Sequence, residues 1–467
     1  MRKHSPQRTL LALAASLLLA ACATQHVAGP ATQPLDAAAL GSSIQPQAVS
    51  SNWWRKVPDT TLQQLIDKAL AGNPGLAQAD ARLRSARASS EQVASSDGLH
   101  INGSADFTRE RISNYANLPS FMTGVWTNLT TVGVDLSYRF DFWGKTRAQL
   151  AASRGQAHAA TLEADDARHW LAWTVSSQYL EWRSAQESRQ LLQDDLQLAR
   201  QQLAQAQQKL NSGLSAADEL AQYRAQLAEA EERLQRSSMR EAQASHALAA
   251  LTAQPQSAID QLPPARLPDW NIDLPQLSTG QLGLRADILA ARERVEASAE
   301  NVKAAKADFY PDVHIDALGA FSSNELSTLF NYGARYIHLA PAITLPIFSN
   351  GALDARLDAR TAEYDYAVAS YNQTLLAAIR DTADRSSSLQ VLQQAEKAAA
   401  ANLQARSDAA RSVQGRVKAG LAAPSLGLAE QRRLLQARSA TLDTHTQRLQ
   451  AQAALLRALG SLPADKE

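Results

Sequence analysis

Leu428–Leu456 has the sequence LAEQRRLLQARSATLDTHTQRLQAQAALL, the most regular pattern in the chain. A leucine occupies every seventh position of it: Leu428, Leu435, Leu442, Leu449 and Leu456. A strict spacing of seven keeps apolar residues facing one partner helix, whereas an amphipathic helix on a globular core would drift toward a period of 3.6. The stretch is therefore predicted to be one helix of an antiparallel coiled-coil hairpin.

The turn of that hairpin precedes the stretch, and a similar turn lies earlier in the chain. Val417–Pro424 interrupts the helical pattern around Gly420, and Lys209–Ser215 interrupts it around Gly213. Leucines at spacings of seven also flank the earlier turn: Leu196, Leu203, Leu210, Leu220, Leu227 and Leu234. A glycine with positive φ ends a helix and begins a turn. The repeated order of elements indicates an internal duplication, with the proline-rich residues 253–277 as the linker between halves.

The helices beside these turns are unusually long. Residues 145–211 and 352–418 contain no proline, and each range predicts a helix of about 100 Å at 1.5 Å per residue. Shorter helices are predicted at four further ranges: 59–97, 216–251, 278–309 and 424–459. If the four shorter helices stack end to end in two pairs, each pair would be as long as one of the long helices. Helices of this length do not belong to a globular domain.

In two other segments, apolar and polar residues alternate, which predicts β-hairpins instead of helices. Leu99–Arg109 with Asn128–Phe142, and Asp312–Phe321 with Arg335–Phe348, are the predicted strand pairs. All eight phenylalanines lie in or beside them: Phe107, Phe121, Phe140, Phe142, Phe309, Phe321, Phe330 and Phe348. Strands of about ten residues with aromatic residues near their ends are typical of an outer-membrane β-barrel. A soluble antiparallel sheet with a phenylalanine-rich core is the alternative.

Four strands cannot close a barrel, since about eight is the practical minimum, and open sheet edges do not occur in lipid. If the hairpins at 99–141 and 311–347 span a membrane, several copies must share one barrel, and three copies would supply twelve strands. The predicted fold class is therefore mainly α with a β-barrel part. Residues 59–98, 142–310 and 348–460 would form a long antiparallel coiled-coil α-barrel, and each protomer would add four transmembrane β-strands to a 12-stranded barrel in a trimer.

The N-terminus has the pattern of an exported lipoprotein. Residues 1–21 combine a positively charged start with an apolar run too short to span a membrane, which predicts a signal peptide. Cys22 is the only cysteine and follows Leu19-Ala20-Ala21, which resembles the bacterial lipobox. Lipidation of Cys22 would anchor the chain, and an ordinary signal peptide with a chance cysteine is the alternative. Ala23 favours the outer membrane, and residues 22–58 are predicted to form an extended tether.

Composition and motifs argue against several classes of protein. The chain has 46 Lys+Arg and 46 Asp+Glu, and zero net charge argues against nucleic-acid binding. One cysteine excludes an internal disulfide and cysteine-built metal sites. No histidine has a partner at metal-ligand spacing, and Gly144-Lys145-Thr146 lacks the upstream glycine of a P-loop because position 139 is arginine. No enzyme, metal or cofactor is predicted.

Several short motifs are each weak evidence for a protein family, but together they are specific evidence. Asn52-Trp53-Trp54, Leu62–Leu70 and Asn73-Pro74 open the helical region. Asp141–Lys145 stands where the first hairpin returns to a long helix, and Pro346-Ile347-Phe348 is its counterpart in the second half. With these motifs the chain resembles the TolC-like outer-membrane efflux proteins, in their lipoprotein branch. The resemblance covers nearly all of the mature chain.

The resemblance implies a homotrimer with a twelve-stranded barrel in the outer membrane and a twelve-helix tunnel in the periplasm. It implies a periplasmic adaptor (a membrane fusion protein) and an inner-membrane pump as partners, and a lipid anchor in the outer membrane. The implied function is passive export of small molecules, such as drugs or toxic compounds, through a channel gated at its helix tips.

The resemblance also assigns roles to residues at the two turns. The implied adaptor-contacting tips are Gly213, Leu214, Ser215, Gly420, Leu421 and Ala422. The second tip is implied to close the tunnel, often with an acidic ring, but the corresponding position here is Ala429. Glu430 is the neighbouring gate candidate, about 100° further around the helix. Arg432 matches a family arginine and is expected to help hold the closed state.

Two other functions share parts of this pattern. A type I protein-secretion channel has the same architecture with different partners, and the lipobox favours small-molecule efflux over it. A periplasmic coiled-coil lipoprotein that acts as a scaffold would instead be a monomer or dimer once its lipid is removed. It would form no heat-modifiable trimer.

Overall fold

The computed structural model describes residues 29–36, 40, 52–263, 265–270 and 285–460. Cys22 and the predicted signal peptide lie outside the described residues. The first half contains α1 (Thr60–Gly72), α2 (Pro74–Ser95), β1 (Leu99–Arg111), β2 (Trp126–Phe140), α3 (Lys145–Asn211), α4 (Ala217–Leu251) and α5 (Gln256–Asp260). The second half contains α6 (Ala286–Ala307), β3 (Asp312–Ser323), β4 (Arg335–Thr344), α7 (Ala352–Lys418) and α8 (Pro424–Ala458). The mainly helical fold with a small β part is confirmed.

One helix predicted from the sequence is two helices in the structure. The sequence pattern at 59–97 indicates a single helix, but α1 ends at Gly72 and α2 begins at Pro74. Proline disfavours helical geometry in the residue before it, and Asn73 is extended with φ −72° and ψ 122°. The Asn73 side chain accepts a hydrogen bond from Gly75 N at 2.8 Å and donates one to Leu251 O at 2.9 Å. Asn73 therefore caps the start of α2 and also binds the last turn of α4.

The chain divides into two compact units. The first contains residues 29–33, Arg84–His158 and Arg292–Ser370. Its centre is an antiparallel sheet in the order β1-β2-β3-β4. The register is continuous along each pair, from Leu99 opposite Tyr138 in β1–β2 to Asp312 opposite Thr344 in β3–β4. An uninterrupted register means that alternate residues of all four strands share one face.

The second unit contains the described residues of Pro34–Leu83 and Ala159–Ala291, together with residues 371–460. Its main core packs α1 against parts of α3, α4 and α8, with Leu62, Ile66, Leu248 and Leu449 each 0% exposed. Trp53 and Trp54 form part of a short 3₁₀ helix and are 2% exposed in this core, so this end of the predicted tether is packed. None of the described helices combines the length and apolar character needed to cross a membrane.

The heptad leucines lie where the sequence indicates. Leu435, Leu442, Leu449 and Leu456 are buried. In the first hairpin, Leu196 of α3 packs in one cluster with Ala230, Leu227 and Leu234 of α4. The spacing of seven therefore marks the contact seam of an antiparallel helix pair, as expected for coiled-coil packing.

Candidate functional site

The β-sheet of the first unit has one apolar and one polar face. The apolar face includes Leu99, Ile101, Phe107, Val134, Leu136, Tyr138, Ile315, Phe321, Ile337, Leu339 and Ile343. The polar face includes His100, Asn102, Asp106, Asp135, Ser137, Arg139, Asp312, Asp316 and His338. Ile337 and Ile343 of the apolar face are 83% and 73% exposed. A sheet face with mostly apolar side chains, several of them exposed, suits contact with lipid.

Two edges of this sheet have no strand beside them within the described chain. β1 and β4 are the outer strands of the order β1-β2-β3-β4, and each presents a row of backbone N–H and C=O groups. Unpaired backbone groups are too costly in a bilayer core for an open edge to persist there. A sheet with a lipid-facing side therefore needs further strands, and another copy of the chain can place its β1 beside β4.

Each helix turn is closed by a glycine in the left-handed conformation. Gly213 has φ 71° and Gly420 has φ 73°. In both turns the next residue donates its N–H to the carbonyl oxygen five positions earlier at 2.8 Å, which is the Schellman pattern of helix ends. Because the turns are this short, Leu214 and Leu421 protrude and are 79% and 73% exposed. Two apolar side chains thus stand at the hairpin tips.

The remaining predicted tip residues lie one position further along. Ser215 is half-buried, and its hydroxyl donates to the carboxylate of Glu219 in the first turn of α4. Ala422 is half-buried and stands two positions before Pro424, the first residue of α8. Proline at the first helical position has the φ that a helix start requires. These two residues support the turns, and the leucines are what the tips expose.

Arg432 joins three helices of the second unit. Its Nε and Nη2 donate to the two carboxylate oxygens of Asp195 in α3, at 2.8 and 3.2 Å. Its Nη1 donates to Gln202 Oε1 of α3 at 3.0 Å and to Gln226 Oε1 of α4 at 2.9 Å. The side chains of Arg432 and Asp195 are 9% and 4% exposed. We name these four residues the Arg432 clamp; it fastens α8 of the second hairpin to both helices of the first.

Glu430 takes part in a separate ion pair. It is 8% exposed and pairs with Arg433, and its Oε2 is buried without a hydrogen-bond partner among the described residues. Ala429 beside it is half-buried. The two predicted gate residues thus lie in one segment of α8 with different partners. Arg432 is the one that links helices.

The partners of Arg432 were not predicted from the sequence. Asp195, Gln202 and Gln226 lie 237, 230 and 206 positions from it in the chain, and no local spacing connects them. One signal does exist: Asp195 directly precedes the heptad leucine Leu196. A carboxylate beside a coiled-coil seam is partly desolvated, so it needs a cation nearby.

A second ion-pair cluster, centred on the nearly buried Arg448, was also not predicted from the sequence. In it, Arg448 of α8 places Nε 2.7 Å from Glu396 Oε2 of α7 and Nη2 3.1 Å from Asp269 Oδ1. His445 Nδ1 lies 2.5 Å from the other Glu396 oxygen. Burial alone would raise the pKa of Glu396, but the hydrogen bonds from His445 and Arg448 outweigh it and lower that pKa. The cluster joins α7, α8 and the segment 265–270.

Replacing Glu396 with glutamine should destabilise the protein by about 2 kcal/mol at pH 7, because Arg448 and His445 lose their carboxylate. A carboxyl whose folded pKa is lowered stabilises the fold above its ordinary value of 4.5 and loses that contribution as the pH falls through the folded pKa. The difference in thermal midpoint between wild type and E396Q should therefore shrink below pH 4.5. The exposed Glu363, 55% exposed and paired with Arg360, supplies the control E363Q. Equal midpoints for E396Q and wild type at pH 7 would contradict the assignment.

Comparison with known proteins places this geometry in a family. Residues 65–254 and 280–461 match the family described as outer membrane efflux protein. The chain belongs to this family. Its fold is that of the family's outer-membrane channels, an α-barrel with a β-barrel part.

Relatives and solved structures agree with that assignment. The multidrug resistance outer membrane protein MdtQ of Escherichia coli O157:H7 is 32% identical over 429 residues, which cover 88% of each chain. The outer membrane protein VceC of Vibrio cholerae has a TM-score of 0.79 and 30% identity, over 89% of this chain and 99% of that one. A membrane protein from Pseudomonas aeruginosa has a TM-score of 0.82 and 28% identity, over 92% of this chain and 99% of that one.

The family defines the class of activity. This chain is an outer-membrane efflux channel and not an enzyme. Like these relatives, it belongs to the outer membrane. The apolar sheet face described above is the face such a location requires.

Proposed function

We propose that three copies of this chain form one channel, which exports small toxic molecules together with a periplasmic adaptor and an inner-membrane pump. The observation that carries the proposal is the sheet with one apolar face and two open edges. Three copies supply twelve strands, enough to close a barrel. The similarity to MdtQ, a protein named for multidrug resistance, supports drugs as cargo.

The polar sheet face would then line the pore. It carries charges of both signs, among them Asp135, Arg139 and Asp316, together with His100 and His338. A lining of mixed sign has no strong preference for cargo of one charge. The channel is proposed to act as a passive conduit, with cargo selected by the pump.

The helix tips would serve both docking and gating. Leu214 and Leu421 are the apolar side chains that an adaptor would cover. The Arg432 clamp would hold α8 against the first hairpin in the closed state, and its release would let α8 straighten and widen the end of the tunnel. Glu430, the other gate candidate, pairs with Arg433 within α8 and would stiffen this helix without linking it to the first hairpin.

Membrane attachment completes the proposal. Residues 1–21 would be removed as a signal peptide, Cys22 would carry the lipid anchor, and residues 99–141 and 311–347 would form the membrane-spanning hairpins. The anchor would hold the chain at the outer membrane before the barrel closes, since acyl chains contribute about 0.8 kcal/mol per buried CH₂.

Export can be tested with a fluorescent cationic dye in cells. Cells that lack this chain should accumulate more ethidium than the parent strain, and the wild-type chain supplied on a plasmid should restore the parental level. A chain with the hairpin 311–347 deleted is the control, because it has two strands and cannot complete the barrel. Equal accumulation with and without the wild-type chain, over a panel of three unrelated dyes, would contradict the proposal.

A further inference from the structure

The apolar sheet face carries three charged side chains, and all are arginines. Alternation along the register places Arg109 and Arg111 of β1 and Arg335 of β4 on the same face as Leu99, Ile101 and Ile337. Every other charged residue of the four described strands lies on the polar face. Charges on a lipid-facing surface are expensive near the bilayer centre and much less so near its boundaries. The free-energy cost of the three arginines therefore depends on their depth in the membrane.

All three arginines stand at the same end of the sheet. Arg109 and Arg111 are among the last residues of β1, and Arg335 is the first residue of β4. Both positions adjoin the loops within the hairpins, whereas the opposite strand ends connect to the helices. Because the helices lie in the periplasm, the loop ends face the exterior. The three arginines thus lie at the level of the outer leaflet.

None of the three has an anionic partner in the chain as described. No carboxylate forms an ion pair with Arg109, Arg111 or Arg335 among the described residues. Two of them stack on exposed aromatic rings instead: Arg109 Cζ lies 5.3 Å from the Trp126 ring centre, and Arg335 Cζ lies 4.1 Å from that of Tyr332. A stacked guanidinium keeps its planar N–H edge available for a phosphate, which it can bind through two hydrogen bonds.

Because these arginines lie on the edge strands, pairing between two copies of the chain would bring the arginines of both copies together. When β4 of one copy pairs with β1 of the next, Arg335 of the first and Arg109 and Arg111 of the second share one face of adjoining strands. This step rests on the proposed trimer. Like charges on adjoining strands repel, so three neighbouring cations without a carboxylate call for an anion.

We propose that the seam between protomers binds the phosphate of a phosphorylated lipid in the outer leaflet. The arginines hold the phosphate, and Phe107, 62% exposed and two residues deeper along β1 than Arg109, contacts the acyl chains beneath it. Trp126, 62% exposed, lies opposite Arg111 at the level of the phosphate. Tryptophan at this depth is typical of the boundary between lipid and water. The ligand is a membrane lipid with a phosphorylated headgroup, recognised by charge and by the apolar surface next to it.

The test compares lipid A with its dephosphorylated form. Full-length trimers purified in a neutral detergent are titrated with each lipid, and the dissociation constant is measured at 50 and 500 mM salt. The variants are R109Q/R111Q/R335Q, the charge-keeping R109K/R111K/R335K, and R139Q as a control from the polar face of the same sheet. Native mass spectrometry reports whether each variant is trimeric.

The triple glutamine variant should bind lipid A at least about tenfold more weakly than wild type, and the lysine variant should recover part of the loss. Wild type should bind dephosphorylated lipid A at least about tenfold more weakly than lipid A. R139Q should bind lipid A with wild-type affinity, and 500 mM salt should weaken the wild-type complex. The site would be overturned if wild type bound the two lipids with equal affinity. It would also be overturned if wild type and the glutamine variant bound lipid A equally well. In either case the arginines would only extend toward water. A wild-type chain that forms no trimer would overturn the assembly and the seam site with it.

Discussion

Replacing Arg432 with alanine should raise the conductance of the channel in planar bilayers, because the closed state loses the contact that holds α8 to the first hairpin. Among the described residues, removing Arg432 leaves Asp195, 4% exposed, with only the longer contact to Arg233 at 3.5 Å. Breaking a buried charge pair from one side costs about 3 kcal/mol or more. If that cost falls on the closed state, the ratio of closed to open channels drops about 100-fold.

Matched variants separate this effect from general damage to α8. Asp195→Ala should raise the conductance as Arg432→Ala does, and the double variant should add little, because both single changes remove the same contact. Arg438→Ala is the control: Arg438 is an exposed arginine of the same helix for which no ion pair is described, and its loss should leave conductance unchanged. Unchanged conductance in R432A, in trimers of normal stability, would contradict the gating role.

Replacing Leu421 with aspartate should abolish export while leaving the trimer intact. Leu421 is 73% exposed, so the change costs the isolated channel little. In the proposed assembly the same side chain is covered by the adaptor, and a buried unpaired carboxylate there would cost several kcal/mol. Dye accumulation in cells should rise to the level of cells without the chain.

The control for this variant keeps shape and apolarity. Leu421→Met changes volume little and should export normally. Leu214→Asp should also reduce export, because Leu214 has the same position at the other tip, with 79% of its side chain exposed. Normal export by L421D would mean that the tip does not contact the adaptor through this residue.

The elements of the fold that are local in sequence could be predicted from the sequence. The leucines at spacings of seven predicted the helix pairs, since a period of seven has one structural meaning over five repeats. The glycines of the two turns predicted the hairpin tips, which Gly213 and Gly420 form with positive φ. The break at Asn73 was missed because the helical pattern continues on both sides of it, and only the constraint imposed by Pro74 marks it.

The candidate site was less predictable because its contacts join distant parts of the chain. Arg432 could be singled out from its resemblance to a family arginine, but its partner Asp195 is 237 positions away. The unusual character of Arg109, Arg111 and Arg335 depends on the strand register, because a shift of one residue would move each to the polar face. Registers and long-range ion pairs follow from packing, which periodicity alone does not specify.

One copy of the chain is proposed to be a third of a channel. Native mass spectrometry of the protein, extracted from outer membranes in a mild detergent and released from it in the gas phase, tests this proposal. The mature chain should give a single assembly with three times the protomer mass, because β1 and β4 find partners only when other copies close the barrel. A protein that remains a monomer or dimer under these conditions would contradict the account.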